Sequence, residues 1–178
     1  MLFRSETTEQ PADFTIPIRI VEDARPRLLL ADDDAGVRES LGKLLRNAGY
    51  HVTLAAHGGQ VLEMVLNTHF DLLLLDLNMP HIDGWSTLDH LHSFKPNLPV
   101  IVITAQPNQR DWMREAGARV LMEKPLDLPL LLETVRELVQ EPSPSAHPAG
   151  AARPFRHLAA RSGETEFSQR LRRWGINE

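Results

Sequence analysis

LLLLDLNMPHIDGW, residues 72–85, is the stretch from which the fold can be read. Four successive leucines leave no polar face for water, so a strand made of them needs cover on both sides. That is the pattern of a parallel sheet sandwiched between helices. The run stops at a carboxylate, Asp76. Pro80 and Gly84 then shape the loop that follows, and Gly84 opens a helix with Trp85, Leu88 and Leu91 along one side. One unit is therefore legible: apolar strand, charged end, shaped loop, amphipathic helix.

The same unit recurs on either side. Leu28 to Ala31 is a second continuous apolar run, followed by a helix with Val37, Leu41, Leu44, Leu45 and Ala48 on one stripe and Gly49 as its stop. His51 to Ala55 and then Val61, Met64 and Val65 form the next strand and helix. Val100 to Ile103 precedes a short helix around Trp112 and Ala116. Val120 to Met122 precedes a helix capped by Asp127, with Leu131, Leu132, Val135, Leu138 and Val139 on its buried face. Strict alternation over residues 26–140 predicts an α/β fold: a five-stranded parallel sheet with helices on both faces and right-handed crossovers. In such sheets ligands bind beyond the carboxyl ends of the strands, so the residues that follow each strand are the candidates for function.

Those residues are chemically coherent. The first strand ends in Asp32-Asp33-Asp34, the third in Asp76 followed by Leu77-Asn78, the fourth in Thr104 and the fifth in Lys124-Pro125. Crowded carboxylates repel unless a cation or protons intervene. An all-oxygen donor set with several acidic groups suits magnesium, which keeps much of its water. A metal held there can also ligate a phosphoryl oxygen, which makes Asp76 a candidate nucleophile. Lys124 offers a point charge, and Thr104 a hydroxyl for a phosphoryl oxygen. Asp34 is read differently, as the N-cap of the first helix.

LLLADDDAGVR (28–38), LLLLDLNMPHIDGW (72–85), PVIVITA (99–105) and MEKPL (122–126) closely resemble the signature segments of response-regulator receiver domains of two-component signalling, in the same order and over about two thirds of the chain. The resemblance implies a flavodoxin-like sheet of order 2-1-3-4-5. It implies Asp76 as phosphoacceptor, and magnesium held by Asp33 directly, by Asp32 through water, by Asp76 and by the backbone carbonyl of Asn78. Thr104 and Lys124 would bind the phosphoryl oxygens, and the peptide bond before Pro125 would be cis. A histidine kinase or phosphotransfer protein would supply the phosphoryl group, and a conformational switch would signal to a downstream protein.

Two features depart from that pattern. Thr104 and Lys124 stand closer together than is usual in the family, so the QPNQRDWMREAG segment (106–117) is expected to be abbreviated. Leu121 occupies a position where the family often carries Tyr or Phe. Both point to an atypical output face around the fourth helix and fifth strand. Trp85 and Trp112 read as core or semi-buried anchors, Met64 and Met79 as packing residues, and most of the histidines at 51, 57, 69, 81, 90 and 92 as solvent-facing, with no metal-site spacing.

Composition fits this reading. The chain of 178 residues carries 42% hydrophobic residues, a net charge of -5 and no cysteine, which excludes disulfides and thiolate chemistry. A soluble cytoplasmic protein is expected, with no membrane segment, and nucleic-acid contact is not expected. Residues 1–25 read as a flexible extension, although Phe14, Ile16, Ile18 and Ile20 alternate like a strand. Residues 141–178 open with the linker PSPSAHPAGAARP. They end in a basic amphipathic stretch with Phe167, Leu171 and Trp174 on one face, Arg170, Arg172 and Arg173 around them, and Gly175 as a stop. That tail would dock on the chain's own receiver, on a homodimer mate or on another protein. The rival functions are an aspartyl-phosphate phosphatase of the haloacid-dehalogenase type, and a DNA-binding regulator acting through the short tail.

Overall fold

The leucine-rich runs become strands because only a doubly covered sheet removes both of their faces from water. The computed structural model describes residues 25–79, 84–105, 116–141 and 154–158. In chain order these form β1 (Arg27–Ala31), α1 (Ala35–Asn47), β2 (His51–Ala55), α2 (Gly58–Asn67), β3 (Leu72–Asp76), α3 (Gly84–Phe94), β4 (Val100–Thr104), β5 (Val120–Glu123), α4 (Leu128–Gln140) and β6 (Arg156–Leu158). All strands pair in parallel, in the order β2-β1-β3-β4-β5-β6.

Alternation along the strands sorts the core into two layers. Leu29, Ala31, Leu73, Leu75, Val102 and Leu121 point to one side, where Val61 and Val65 of α2 and Leu88 and Leu91 of α3 cover them. Leu28, Leu30, Leu72, Leu74, Ile101, Ile103, Val120 and Met122 point to the other, under Leu41 and Leu45 of α1 and Leu131, Val135 and Leu138 of α4. Local chemistry delimits the helices. Asp34 accepts from the backbone N–H groups of Gly36 and Val37 at the start of α1, and Asp127 accepts from that of Leu130 at the start of α4. Gly49 takes the left-handed conformation (φ 95°) that turns the chain out of α1 into β2.

The expected five-strand order is present, and a sixth strand extends it. β6 lies in a stretch read from sequence as linker and tail, because a three-residue element is too short to carry a periodic signal. Val37, expected on the buried stripe of α1, is 36% exposed; it lies in the first turn, ahead of the part of the helix that packs on the sheet. His57, one of six histidines of which most were expected to face solvent, accepts through its ring from the Gln60 backbone N–H and caps α2. The alternating segment at Phe14–Ile20, the abbreviated region with Trp112, His81 and the amphipathic stretch at Phe167–Trp174 lie outside the described residues. Among the described residues no helix is long and apolar enough to cross a membrane.

Gly84 ties α3 to the end of β3. Its N–H donates to the Leu77 carbonyl at 3.2 Å, and a Cβ here would stand 2.5 Å from both the Asp76 carbonyl oxygen and Leu77 Cα. Alanine favours a helix by about 1 kcal/mol over glycine, but neither backbone atom can yield without moving Asp76. Steric conflict should win. Gly84→Ala is expected to lower the thermal midpoint by several °C, as read by calorimetry, and an unchanged or raised midpoint would contradict the packing described.

Candidate functional site

The carboxyl ends of β1, β3, β4 and β5 meet at one rim, at the point where the strand order reverses between β1 and β3. β1 continues into Asp32, whose N–H still reaches the Ala55 carbonyl of β2 at 3.2 Å. β3 ends at Asp76, paired in register with Ile103 of β4, and Thr104 is paired with Glu123 of β5. Asp32, Asp76 and Thr104 are buried, while Asp33 is exposed.

Lys124 links these ends. Its Nζ donates to Asp76 Oδ2 at 2.6 Å and to Asp32 Oδ2 at 3.4 Å, and its own backbone N–H donates to the Thr104 carbonyl at 2.8 Å. The loops pin the remaining carboxylate oxygens: the Asp34 N–H donates to Asp32 Oδ1 at 2.9 Å, and the Asn78 N–H to Asp76 Oδ1 at 3.1 Å. The Asn78 side chain is exposed. The Lys124–Pro125 peptide bond is cis.

One carboxylate oxygen from each of Asp32, Asp33 and Asp76 lies within 4.8 Å of the others. Three carboxylates face a single ammonium, so the rim stays net negative, and every available donor is oxygen. That set fits a hard divalent cation that retains water, with magnesium the apt choice. Electrostatics agree. Burial pushes the Asp32 carboxyl above its ordinary value, and Asp76 adds to the rise while Lys124 opposes it. For Lys124 burial favours the neutral amine, but the hydrogen bond and charge of Asp76, then those of Asp32, more than offset it and leave the ammonium firmly charged. The backbone N–H groups of Val37 and Gly36 hold Asp34 below its ordinary value, which suits a cap rather than a ligand.

Sequence reasoning missed Arg38. Its Nη1 donates to the Asp32 carbonyl at 2.6 Å and to the Asp33 carbonyl at 3.2 Å, clamping the acidic turn from the first turn of α1. A basic residue one turn beyond the Asp34 cap was the available signal, but an arginine in the first turn of a helix usually has no such task.

Similarity to known proteins points the same way. The model of the response regulator receiver domain matches residues 28–136. The response regulator MprA of Mycobacterium sp. (strain KMS) is 37% identical over 134 residues, which span 74% of this chain and 58% of that protein. The chain thus spans under two thirds of the length of that relative. A CheY-like receiver domain protein from Methanospirillum hungatei superposes with a TM-score of 0.63 at 30% identity, covering 66% of this chain and 96% of that one. The response regulator TrrA of Thermotoga maritima, solved in complex with Mg(2+)-BeF, gives a TM-score of 0.60 at 28% identity, covering 64% and 98%.

The raised Asp32 value has a consequence for stability. The folded chain holds this proton more tightly than the unfolded chain does, so the charged carboxylate costs stability at neutral pH. The cost is relieved as pH falls through the raised value toward 3.8. Asp32→Asn should therefore raise the thermal midpoint at pH 7, as read by calorimetry. The gap from the unsubstituted chain should shrink on acidification. A variant less stable at pH 7, with the gap widening toward acid, would reverse the sign assigned.

Proposed function

Because the chain belongs to the response regulator receiver domain family, whose members work in two-component systems with histidine kinases and downstream effectors, we propose that it accepts a phosphoryl group on Asp76. The observation that carries this reading is the Lys124 ammonium 2.6 Å from Asp76 Oδ2, inside a ring of acidic oxygen donors.

In the proposed step an Asp76 carboxylate oxygen attacks phosphorus of a phosphohistidine on a kinase or phosphotransfer protein. An O–P bond forms as the N–P bond breaks, and the departing imidazole takes up a proton from water. Asp32, Asp33, Asp76 and the Asn78 backbone carbonyl are the groups that would hold magnesium. When bound, magnesium would supply positive charge that screens the carboxylates and the incoming phosphoryl oxygens from one another. Lys124 follows the charge from the carboxylate to the phosphoryl group. Thr104, buried at the end of β4, offers its hydroxyl to a phosphoryl oxygen. Asn78 N–H and Arg38 keep the attacking carboxylate and the acidic turn in place. Water reaches the rim through the exposed Asp33 side, so the same geometry permits later hydrolysis of the acyl phosphate.

Signalling requires more than acceptance. Moving two receiver conformations from 1:99 to 99:1 needs about 5.5 kcal/mol of differential stabilisation, and charge-assisted bonds from Lys124 and Thr104 to the new phosphoryl oxygens are the groups able to provide it. The unit that switches is read as residues 26–140 with β6 added, acting in the cytoplasm beside its kinase. Downstream partner and homodimer formation belong to the same proposal. The family matches favour neither the phosphatase nor the DNA-binding alternative.

Incubation with a small phosphodonor and magnesium, followed by intact mass measurement, is expected to give a gain of ~80 Da that vanishes in Asp76→Asn. Lys124→Ala should keep magnesium binding yet slow the gain by one to two orders of magnitude, about the loss of 1.4 to 2.8 kcal/mol. A gain that persists in Asp76→Asn would place the acceptor elsewhere.

A further inference from the structure

From the way β6 sits on the sheet, we infer that the edge of β5 is a strand-docking surface, occupied by the chain's own segment 154–158, and that this occupant is detachable. The inference does not depend on phosphorylation of Asp76.

Residues 155–158 are each read by the surface beneath them. Arg156, His157 and Leu158 lie in register with Val120, Leu121 and Met122, and the Arg156 N–H donates to the Arg119 carbonyl at 3.1 Å. Alternation sends neighbours to opposite faces. Phe155 packs on the core layer that contains Leu121, and Leu158 on the layer beneath α4. On the α4 side Arg156 pairs with Glu137, and on the other His157 pairs with Glu123. The surface therefore selects an extended segment of the pattern aromatic, basic, histidine, apolar, through two carboxylates and two apolar footholds. It also covers a sheet edge that would otherwise template pairing with another chain.

Magnitudes favour a loosely held occupant. The strand has three residues, and the Arg156–Glu137 pair is about half exposed on both sides, where such pairs contribute ~0–1 kcal/mol. Residues 142–153 join the two described segments covalently, and so short a connection keeps the strand at an effective concentration of the order of mM. Docking in the same concentration range would leave open and closed forms within about tenfold of each other, so a competing segment could displace it.

Hydrogen exchange in the full chain tests this directly. The Arg156 amide is expected to exchange about 3- to 10-fold more slowly than in a free peptide, yet at least ~100-fold faster than the Leu74 amide in the centre of the sheet. Exchange as fast as the free peptide means the segment is not docked; exchange as slow as Leu74 means it is not detachable. Either result overturns the inference. A synthetic peptide of residues 153–160 at a few mM should speed Arg156 exchange at least ~2-fold, and Glu123→Gln with Glu137→Gln should do so without peptide; no effect of either would also overturn it. Because the chain has no cysteine, Met122→Cys with Leu158→Cys asks whose strand is docked. A disulfide within one chain is expected under mild oxidation, whereas a disulfide joining two chains would assign the edge to a second copy.

Discussion

The ion pair between Lys124 and Asp76 ties together parts of the chain that are distant in sequence and not adjacent in the sheet. Asp76 ends β3 and Lys124 follows β5, so the lysine reaches across the end of β4 to a carboxylate two strands away. That reach requires the register of three strands to be right at once, because a slip of one residue would turn either side chain into a core layer. Its contribution to stability is small, since desolvating both charges offsets much of their attraction. Its value is chemical. It holds a buried carboxylate oxygen in place at the rim, within 2.6 Å of a charged ammonium.

The two-layer core makes the rim rigid. β3 and β4 are buried along their whole length, and such close-packed interiors deform little. Charge is therefore gathered where the framework can bear it, with the costs confined to the loops. Asp32 is raised by burial and by Asp76, Arg38 holds the backbone of the same turn, and Gly84 lets α3 approach the carbonyl of Asp76. A rim of mutually repelling acids on a stiff base is poised to respond to any change in local charge.

The far edge of the sheet is built differently. Leu121, where the family often carries an aromatic side chain, is fully buried and lies in register with His157 of β6. The layer it joins also receives Phe155 from the tail. In this chain an aromatic ring thus reaches that side of the sheet from a returning segment. Glu123, which pairs with His157, is the residue immediately before Lys124, so the tail's hold on the sheet ends one residue short of the site.

Much of this was legible in the order of residues. Continuous leucine and valine runs announced the strands, because only double burial makes such runs tolerable. Asp34 and Asp127 marked helix starts, because their side chains satisfy open backbone N–H groups. The acids, the threonine and the lysine at successive strand ends marked the candidate site, because a parallel sheet carries all those ends to one rim. Tertiary structure alone decided the rest. Arg38 became a clamp, His57 a cap and Arg156 to Leu158 a sixth strand because of what happened to lie opposite them. Local periodicity reports how a segment buries its own faces; it says nothing of which distant carbonyl, carboxylate or sheet edge will be waiting there.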